Sequence, residues 1–201
     1  MTTPRHTLTL FIALAVLLAA SAAPRKGRGK RLPIVDIREQ VDYGHDSVAG
    51  DPRPVDIVVV HSNYHVGNDM WDTQGCLDQF RQYGVAPHYM ITRDNKILYM
   101  VDENVAAWHA GKSVLPGTDR DSINYTSIGI ELVSHPLYPP TPQQTALLVR
   151  LVCDIRKRHP IRYLMRHSDI APKRKTDPWN FPWQEFVRRV ELRSGPVTTA
   201  P

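Results

Sequence analysis

The sequence predicts an α/β domain in which helices cover a central β-sheet. A continuous run of β-branched residues, Ile57–Val60, is typical of a strand that is buried on both faces. An apolar stripe at helical spacing within residues 142–155 predicts a helix that packs on such a sheet. The length of 201 residues fits one domain with terminal extensions.

Residues 1–22 have the features of a secretory signal peptide. Arg5 supplies a positive start, residues 8–19 form a short apolar core, and Ala20–Ala22 has the small side chains of a cleavage site. The apolar run is shorter than a membrane-spanning helix requires, and no cysteine lies near the cleavage site to carry a lipid. We therefore expect a secreted or periplasmic protein that is cleaved after Ala22 and has no membrane anchor.

The positive charge of the chain is concentrated in one short segment. The formal net charge is +5, yet five basic residues lie within residues 25–31 and a sixth lies in the signal peptide. The residues that follow carry 19 basic and 20 acidic side chains. A nucleic-acid-binding domain would concentrate positive charge on its folded body, so we do not expect that function. The basic segment either attracts an anionic envelope polymer or serves only as a solubilising tail.

The domain boundaries are predicted from changes in composition. Residues 23–50 are basic and then mixed, without a sustained period, which predicts an arm that leads into the domain. The proline-containing segment Asp51–Pro54 is a rigid entry. Residues 51–193 are expected to form the folded domain, and the small and polar residues 194–201 a flexible tail.

The first half of the domain is predicted to contain a strand, a helix and a hairpin. The first strand ends at His61. Helical spacing predicts a helix over residues 71–83, and Gly84 stands where a C-cap glycine belongs. Two further strands within residues 88–101 flank the turn signal Arg93–Asn95, which predicts a β-hairpin.

Residues 127–133 alternate as a strand and place a carboxylate among apolar residues. Glu131 shares one face with Gly129, whereas two isoleucines and a leucine alternate onto the other face. Burying an unpaired carboxylate costs several kcal/mol, so Glu131 needs an ion pair or a chemical role. The histidines elsewhere in the chain favour the chemical role.

The second half of the domain continues with two helices around a short strand. Thr141 and Gln144 form a capping box at the start of the helix over residues 142–155. A short strand then leads into His167, and a last amphipathic helix is predicted from about Trp183 to Leu192.

Two cysteines, Cys76 and Cys153, are present in the whole sequence. An oxidising compartment would permit one disulfide between them. Both fall on predicted helices, and the sequence does not supply the Cα separation that a disulfide demands. The pairing is left open.

Four groups on different elements are candidates for one site: His61, Glu131, His167 and Asp177. Two imidazoles and one carboxylate form the ligand set of a catalytic zinc, because three protein ligands leave the fourth tetrahedral position to water. Zinc lowers the pKa of that water and polarises a carbonyl group. Glu131 could then transfer the proton to a leaving amine.

The loop over residues 166–178 contributes further candidates. Two prolines stiffen it, so that its polar side chains are presented in fixed positions. Lys175 precedes Asp177 by two residues and would reach the same side of an extended loop. Its ammonium group could stabilise the oxyanion of a tetrahedral intermediate.

Five motifs occur in a fixed order along the chain. They are Val59–His61, Ala86–Tyr89, Ala107–Gly111, Ser127–Glu131 and Arg166–Pro178. Together they resemble the zinc-dependent N-acetylmuramoyl-L-alanine amidases of the type-2 amidase family, which includes AmpD, AmiD, phage T7 lysozyme and the peptidoglycan recognition proteins. The resemblance covers about residues 54–190.

The resemblance implies a single α/β domain, with a mixed central β-sheet flanked by helices and Zn²⁺ in a surface groove. It also implies hydrolysis of the amide bond between the lactyl group of N-acetylmuramic acid and L-alanine, in peptidoglycan or muropeptides. Separately, we expect a monomer. By motif position, the zinc ligands correspond to His61, His167 and Asp177. Glu131 corresponds to the catalytic carboxylate of the AmpD-like branch, and Lys175 corresponds to its catalytic lysine.

Other positions indicate the branch of the family and the residues that contact substrate. Pro87 stands where the phage and recognition-protein branches have a tyrosine, which fits the AmpD-like branch. By analogy, Trp108 and His109 are expected to line the groove and bind substrate, with packing in the core as the alternative. His88 is also expected to bind substrate. The alternative function is a non-catalytic peptidoglycan-binding module. Such modules typically lack a zinc ligand, whereas all three ligand positions are filled in this chain.

Overall fold

Six strands form one mixed β-sheet in the computed structural model, which describes residues 31–46 and 53–200. The strands are β1 (Ile34–Asp36), β2 (Ile57–Asn63), β3 (Tyr89–Ile91), β4 (Ile97–Tyr99), β5 (Ser127–Val133) and β6 (Tyr163–Arg166). The helices are α1 (Thr73–Tyr83), α2 (Pro142–Ile155), α3 (His167–Ile170) and α4 (Trp183–Ser194), with 3-10 turns at Arg38–Gln40 and Ile123–Thr126. The predicted signal peptide lies outside the described residues.

The sheet order is β1-β4-β3-β5-β2-β6, and only the β3–β4 hairpin is antiparallel among these neighbours. Strand β2 lies between two parallel partners, β5 and β6. Its first six residues are buried, because helices or loops cover both faces, as the continuous apolar run predicts. The mixed sheet flanked by helices confirms the predicted fold class.

The two faces of the sheet have different coverings, and this difference positions the site. Val58 and Val60 of β2 belong to a large apolar core that includes most of the buried residues of α2 and α4. The alternate residues Ile57 and Val59 point to the other face and pack against loop residues such as Leu115. Because side chains alternate along a strand, His61 continues this second face, which α2 and α4 do not cover.

Local signals set the helix boundaries as the sequence predicts. Asp72 caps α1 by accepting a hydrogen bond from the Gln74 backbone N–H, and Gly84 ends the helix in a left-handed conformation with φ of 62°. Thr141 and Gln144 form the predicted reciprocal capping box of α2. These caps satisfy backbone groups that a helix terminus would otherwise leave unpaired.

Residues 32–46 belong to the folded body, in contrast to the predicted arm. Strand β1 pairs in parallel with β4 at one edge of the sheet. Ile37 and Val41 are buried in a second apolar cluster beneath α1. The prediction of an arm over residues 23–50 is therefore wrong for residues 32–46. Its remaining residues, 23–30 and 47–50, lie outside the described residues.

The C-terminal tail is also ordered against the sheet, rather than free. The Thr198 backbone N–H donates to the Arg162 carbonyl at 2.8 Å, and the Leu164 N–H donates to the Thr198 carbonyl at 2.9 Å. These bonds form a parallel bridge between Tyr163 and Thr198 beside β6. The prediction of a flexible tail over residues 194–201 therefore differs from the structure for residues 194–200, and Pro201 lies outside the described residues. Backbone hydrogen bonds of this kind produce no recognisable pattern in the amino-acid sequence, so this pairing was not predicted.

Both cysteine thiols are free. Cys76 on α1 is buried in the cluster beneath that helix. Cys153 on α2 lies elsewhere, with its sulfur 3.6 Å from the Ser194 hydroxyl. Burial raises the pKa of the Cys76 thiol to about 12, so this group stays protonated and unreactive at neutral pH.

Glu103 connects the loop after β4 to the C-terminal end of α2. Its buried carboxylate accepts hydrogen bonds from Tyr89 Oη at 2.7 Å, from Arg158 Nη2 at 2.8 Å and from Arg158 Nε at 3.0 Å, and lies 2.8 Å from His159 Nε2. Burial alone would raise the pKa of Glu103, but the hydrogen bonds outweigh it and lower that pKa to about 2.

Replacing Glu103 by glutamine is expected to lower the free energy of unfolding by about 2 kcal/mol at pH 7, because Arg158 loses the buried one of its two anionic partners. The pKa of Glu103 is depressed on folding, so its contribution is complete above the ordinary value of 4.5 and is lost as the pH falls towards about 2. Urea unfolding of parent and variant at several pH values measures this difference. Glu185→Gln, at an exposed ion pair, should change stability by less than about 0.5 kcal/mol. Equal stabilities of the parent and Glu103→Gln at pH 7 would contradict the assignment.

Candidate metal centre

Three neighbouring parallel strands bring three of the predicted site residues to the same level. Strand β2 carries His61, whose Cα is the direct partner of the Glu131 Cα on β5. On the other side of β2, Val60 is the partner of Arg166, the last residue of β6. His167 follows at once as the first residue of α3 and so arrives beside His61.

The fourth predicted residue, Asp177, returns to this level through the loop after α3. The Ser168 backbone N–H donates to the Asp177 carbonyl at 2.9 Å and fixes the end of that loop. The carboxylate Oδ2 then lies 3.2 Å from His167 Nδ1 and 3.7 Å from His61 Nδ1, and it accepts from the Ser62 backbone N–H at 3.3 Å.

His61, His167 and Asp177 together could hold a metal ion. The two Nδ1 atoms are 2.9 Å apart, which completes a triangle with sides of 2.9, 3.2 and 3.7 Å. Two ligand atoms of a tetrahedral zinc site, each about 2.0 Å from the ion, are separated by about 3.3 Å. The observed triangle brackets this value, so the spacing of the donor atoms fits zinc.

The proton positions also fit a cation. His167 Nε2 lies 3.3 Å from the Ala110 carbonyl oxygen, which can only accept, so this nitrogen carries the proton. In a neutral ring, Nδ1 of His167 then presents its lone pair to the other donor atoms. Burial, followed by the neighbouring histidines, lowers the pKa of His61, so this ring is neutral. Lone pairs and a carboxylate that converge in a buried place favour a cation between them, because the cation offsets their repulsion.

Glu131 is a buried carboxylate beside this triangle. Its side chain is largely covered, with the residue 8% exposed, and its Oε2 atom has no hydrogen-bond partner among the described residues. Burial raises the pKa of Glu131, the nearby Asp177 raises it further, and Lys175 opposes the rise. A carboxylate with a raised pKa and an unpaired oxygen is suited to accept and release a proton near neutral pH.

A surface groove of about 530 Å³ opens onto these groups. Its lining includes Glu131, His167, Asp177 and Lys175. The groove therefore places both predicted catalytic residues and two of the three predicted metal ligands in reach of a bound molecule, while His61 is 1% exposed.

The three residues predicted to bind substrate have different positions in the structure. Trp108 lines the groove and is 43% exposed, with its indole N–H bonded to Asp46. His109 also lines the groove, but its ring is buried against His61. His88 is fully buried and lies outside the lining of the groove, where its Nδ1 accepts the Gly129 N–H at 3.1 Å. His88 has no free surface for contact with a bound molecule.

Two residues near the groove were not singled out from the sequence. Trp179 forms part of the groove wall and donates its indole N–H to the Thr176 hydroxyl at 3.0 Å. Arg174 donates to the carbonyl oxygens of Ala110 and Lys112 and so connects the two loops that border the groove. Trp179 could have been identified from the sequence, because it is an aromatic residue two positions after the predicted metal ligand Asp177. The basic run in which Arg174 lies resembles an ordinary solvated loop.

Comparison with known proteins gives a consistent result. The N-acetylmuramoyl-L-alanine amidase family matches residues 51–180. The chain is 32% identical to the N-acetylmuramoyl-L-alanine amidase AmiD of Escherichia coli, with 89% of this chain and 67% of AmiD covered. It is 31% identical to the 1,6-anhydro-N-acetylmuramyl-L-alanine amidase AmpD of Haemophilus influenzae, with 76% of this chain and 91% of AmpD covered.

Solved structures agree with this similarity. A selenomethionine derivative of AmpD superposes with a TM-score of 0.63 at 26% identity, over 81% of this chain and 97% of that one. A complex of Escherichia coli AmiD with the substrate anhydro-N-acetylmuramic acid-L-Ala-D-γ-Glu-L-Lys superposes with a TM-score of 0.60 at 28% identity. The aligned region covers 76% of this chain and 62% of that AmiD chain.

Proposed function

This chain belongs to the family of N-acetylmuramoyl-L-alanine amidases, and we propose that it uses zinc, held by His61, His167 and Asp177, to cleave the amide bond between the lactyl group of N-acetylmuramic acid and L-alanine. The proposed site rests mainly on one observation. Three donor atoms converge within 4.8 Å of one another at a groove that also exposes Glu131 and Lys175.

Zinc in this ligand set supplies a polarised carbonyl and a water molecule of lowered pKa. The chain's own residues determine whether such an ion can bind. His167 presents its Nδ1 lone pair because its Nε2 proton is held by the Ala110 carbonyl. The Asp177 carboxylate is held by the Ser62 N–H and contributes the negative charge of the set.

Glu131 is the proposed general base and acid. It lies on β5 directly across from His61, lines the groove, and has one oxygen without a protein partner. This oxygen is free to accept the proton of the attacking water and then to deliver it to the amine of L-alanine as the amide bond breaks. The raised pKa of Glu131 brings proton gain and proton loss closer in free energy at neutral pH.

Lys175 is the proposed oxyanion stabiliser. It lines the same groove as Glu131 and Asp177, and its positive charge opposes the rise in the Glu131 pKa. An ammonium group in this place stabilises negative charge that develops on the carbonyl oxygen during attack. Lys175 therefore acts on the substrate, whereas Glu131 acts on the proton.

The proposed substrate is a muropeptide or the corresponding part of peptidoglycan. Aromatic surface in the groove comes from the exposed Trp108 and Tyr83 and from the half-buried Trp179, which suits an amphipathic ligand. The AmiD chain compared above was solved with an anhydro-muropeptide, and a ligand of this class is our proposal for the groove of this chain.

We also propose that the protein works outside the cytoplasm as a monomer. The features of residues 1–22 support export, and the basic residues 25–31 would attract anionic envelope polymers. Within residues 31–46 and 53–200, no helix is long and apolar enough to cross a membrane.

Product analysis tests the proposed function. The purified protein is incubated with intact sacculi and with soluble anhydro-muropeptides, and the products are identified by mass spectrometry. We expect free stem peptides that begin with L-alanine, their loss after treatment with a chelator, and their return when zinc is added. A protein that binds sacculi but releases no stem peptide under any of these conditions would instead be a peptidoglycan-binding module.

A further inference from the structure

We propose that His109 is a positioning residue that fixes the proton of His61 on Nε2, through a hydrogen-bond relay that begins at Ser127. The relay runs from Ser127 to His109 to His61. It rests on the proposed role of His61 as a metal ligand, and it assigns His109 a function other than the substrate contact predicted by analogy.

The relay starts at the Ser127 hydroxyl group, whose single proton is donated to a backbone carbonyl. The Ser127 Oγ lies 2.6 Å from the Ile123 carbonyl oxygen, which can only accept, so the hydroxyl proton points there. His109 Nε2 lies 3.2 Å from the same Oγ. Because a hydroxyl has a single proton, Ser127 must accept from His109. The proton of the neutral His109 ring is therefore on Nε2.

The same reasoning gives the position of the proton on His61, the next residue of the relay. With its proton on Nε2, His109 has a lone pair on Nδ1, which lies 3.0 Å from His61 Nε2. That nitrogen must then be the donor, so the His61 proton is on Nε2 and its Nδ1 is bare. The bare Nδ1 is the atom that faces His167 Nδ1 at 2.9 Å and Asp177 Oδ2 at 3.7 Å. A metal ligand needs this tautomer.

The packing around His109 holds its ring in the required place. A Cβ atom added to Gly129 on β5 would lie only 2.3 Å from His109 Cγ, so the ring occupies the space that this glycine leaves. The backbone N–H groups of His109 and Ala110 both donate to Asn124 Oδ1, at 3.2 and 2.8 Å. The ring is thus fixed on its backbone side and on the sheet side.

The two histidine ligands are oriented in different ways. His167 donates its Nε2 proton to a backbone carbonyl, an acceptor whose role cannot change. His61 donates to a second imidazole, which accepts only while its own proton stays on the Ser127 side. The side chains of Ser127 and His109 therefore control one ligand, and they can be altered without replacing any metal ligand.

A measurement on the unaltered protein tests the proton positions directly. Nitrogen-15 NMR of the metal-free full chain with labelled histidine side chains reports which ring nitrogen carries each proton. We expect both His61 and His109 to carry it on Nε2. A His109 ring that carries its proton on Nδ1 would overturn the proposal, whatever any variant does.

Two substitutions test the consequence for the metal. By chelator competition, His109→Phe should weaken zinc binding about 10- to 100-fold, the usual range for loss of a group that orients a ligand. Ser127→Ala should weaken it by up to about tenfold, because the His109 proton can then move to Nδ1 and expel the His61 proton from Nε2. In this variant, the NMR spectrum should show part of His61 with its proton on Nδ1.

Ser113→Ala is the matched control, because it also removes a buried hydroxyl that donates to a backbone carbonyl, outside the relay. Its zinc affinity should equal that of the parent. Unchanged zinc affinity in both His109→Phe and Ser127→Ala would refute the relay even if the parent releases stem peptides. A parent that shows the expected tautomers and binds zinc but releases no stem peptide would refute the proposed function alone.

Discussion

Replacing Glu131 by glutamine is expected to lower kcat for muropeptide hydrolysis by about a thousandfold, within the range of general acid–base catalysis. Glutamine has nearly the same size, so it preserves the packing on β5, but it cannot accept a proton from water. The dissociation constant for zinc should stay close to that of the parent, because Glu131 is outside the ligand triangle. Stem-peptide release and zinc competition, measured on the same preparation, separate the two effects.

A second variant in the groove provides a comparison for the size of the expected change in kcat. Lys175→Met keeps the length of the side chain and removes its charge, and it should lower kcat by about a hundredfold without loss of zinc. Glu185→Gln makes the same chemical change as Glu131→Gln at an exposed position of α4 and should leave kcat unaltered. If Glu131→Gln hydrolyses muropeptides at the parental rate, Glu131 is not the base.

Replacing Asp177 by alanine is expected to abolish turnover at stoichiometric zinc and to weaken zinc binding at least about a hundredfold. The carboxylate supplies the negative charge of the ligand set, and two neutral imidazoles alone hold zinc poorly. Metal content after dialysis, measured by atomic emission, reports the loss. Asp154→Asn alters a carboxylate on α2 that pairs with Arg158, so it should retain zinc. An Asp177→Ala protein that keeps one zinc per chain would contradict the proposed ligand set.

Much of the fold was accessible from sequence because its signals are local. The apolar run of β2 and the capping box of α2 depend on neighbouring residues, and both elements form where they were predicted. The arrangement of the strands is not local. The position of β2 between β5 and β6, which brings His61 beside Glu131 and His167, was not predicted, because the resemblance implied only a mixed sheet flanked by helices.

The structure brings the three predicted metal ligands together, whereas the contacts around them were not predicted. His61, His167 and Asp177 do converge, as two imidazoles and a carboxylate in one chain suggested. No sequence pattern distinguishes a histidine that lines the groove from one behind it: His109 lines the groove, whereas His88 is fully buried outside its lining. That distinction depends on which ring fills the space above a glycine of β5.

The bridge between Thr198 and Tyr163 has a consequence for self-association. Strand β6 is at the border of the sheet, and an open border offers unpaired backbone groups to any other extended chain. The residues around Thr198 occupy part of that border in the same molecule. The protein can therefore place His167 at the end of a border strand while protecting that strand from intermolecular sheet formation and aggregation.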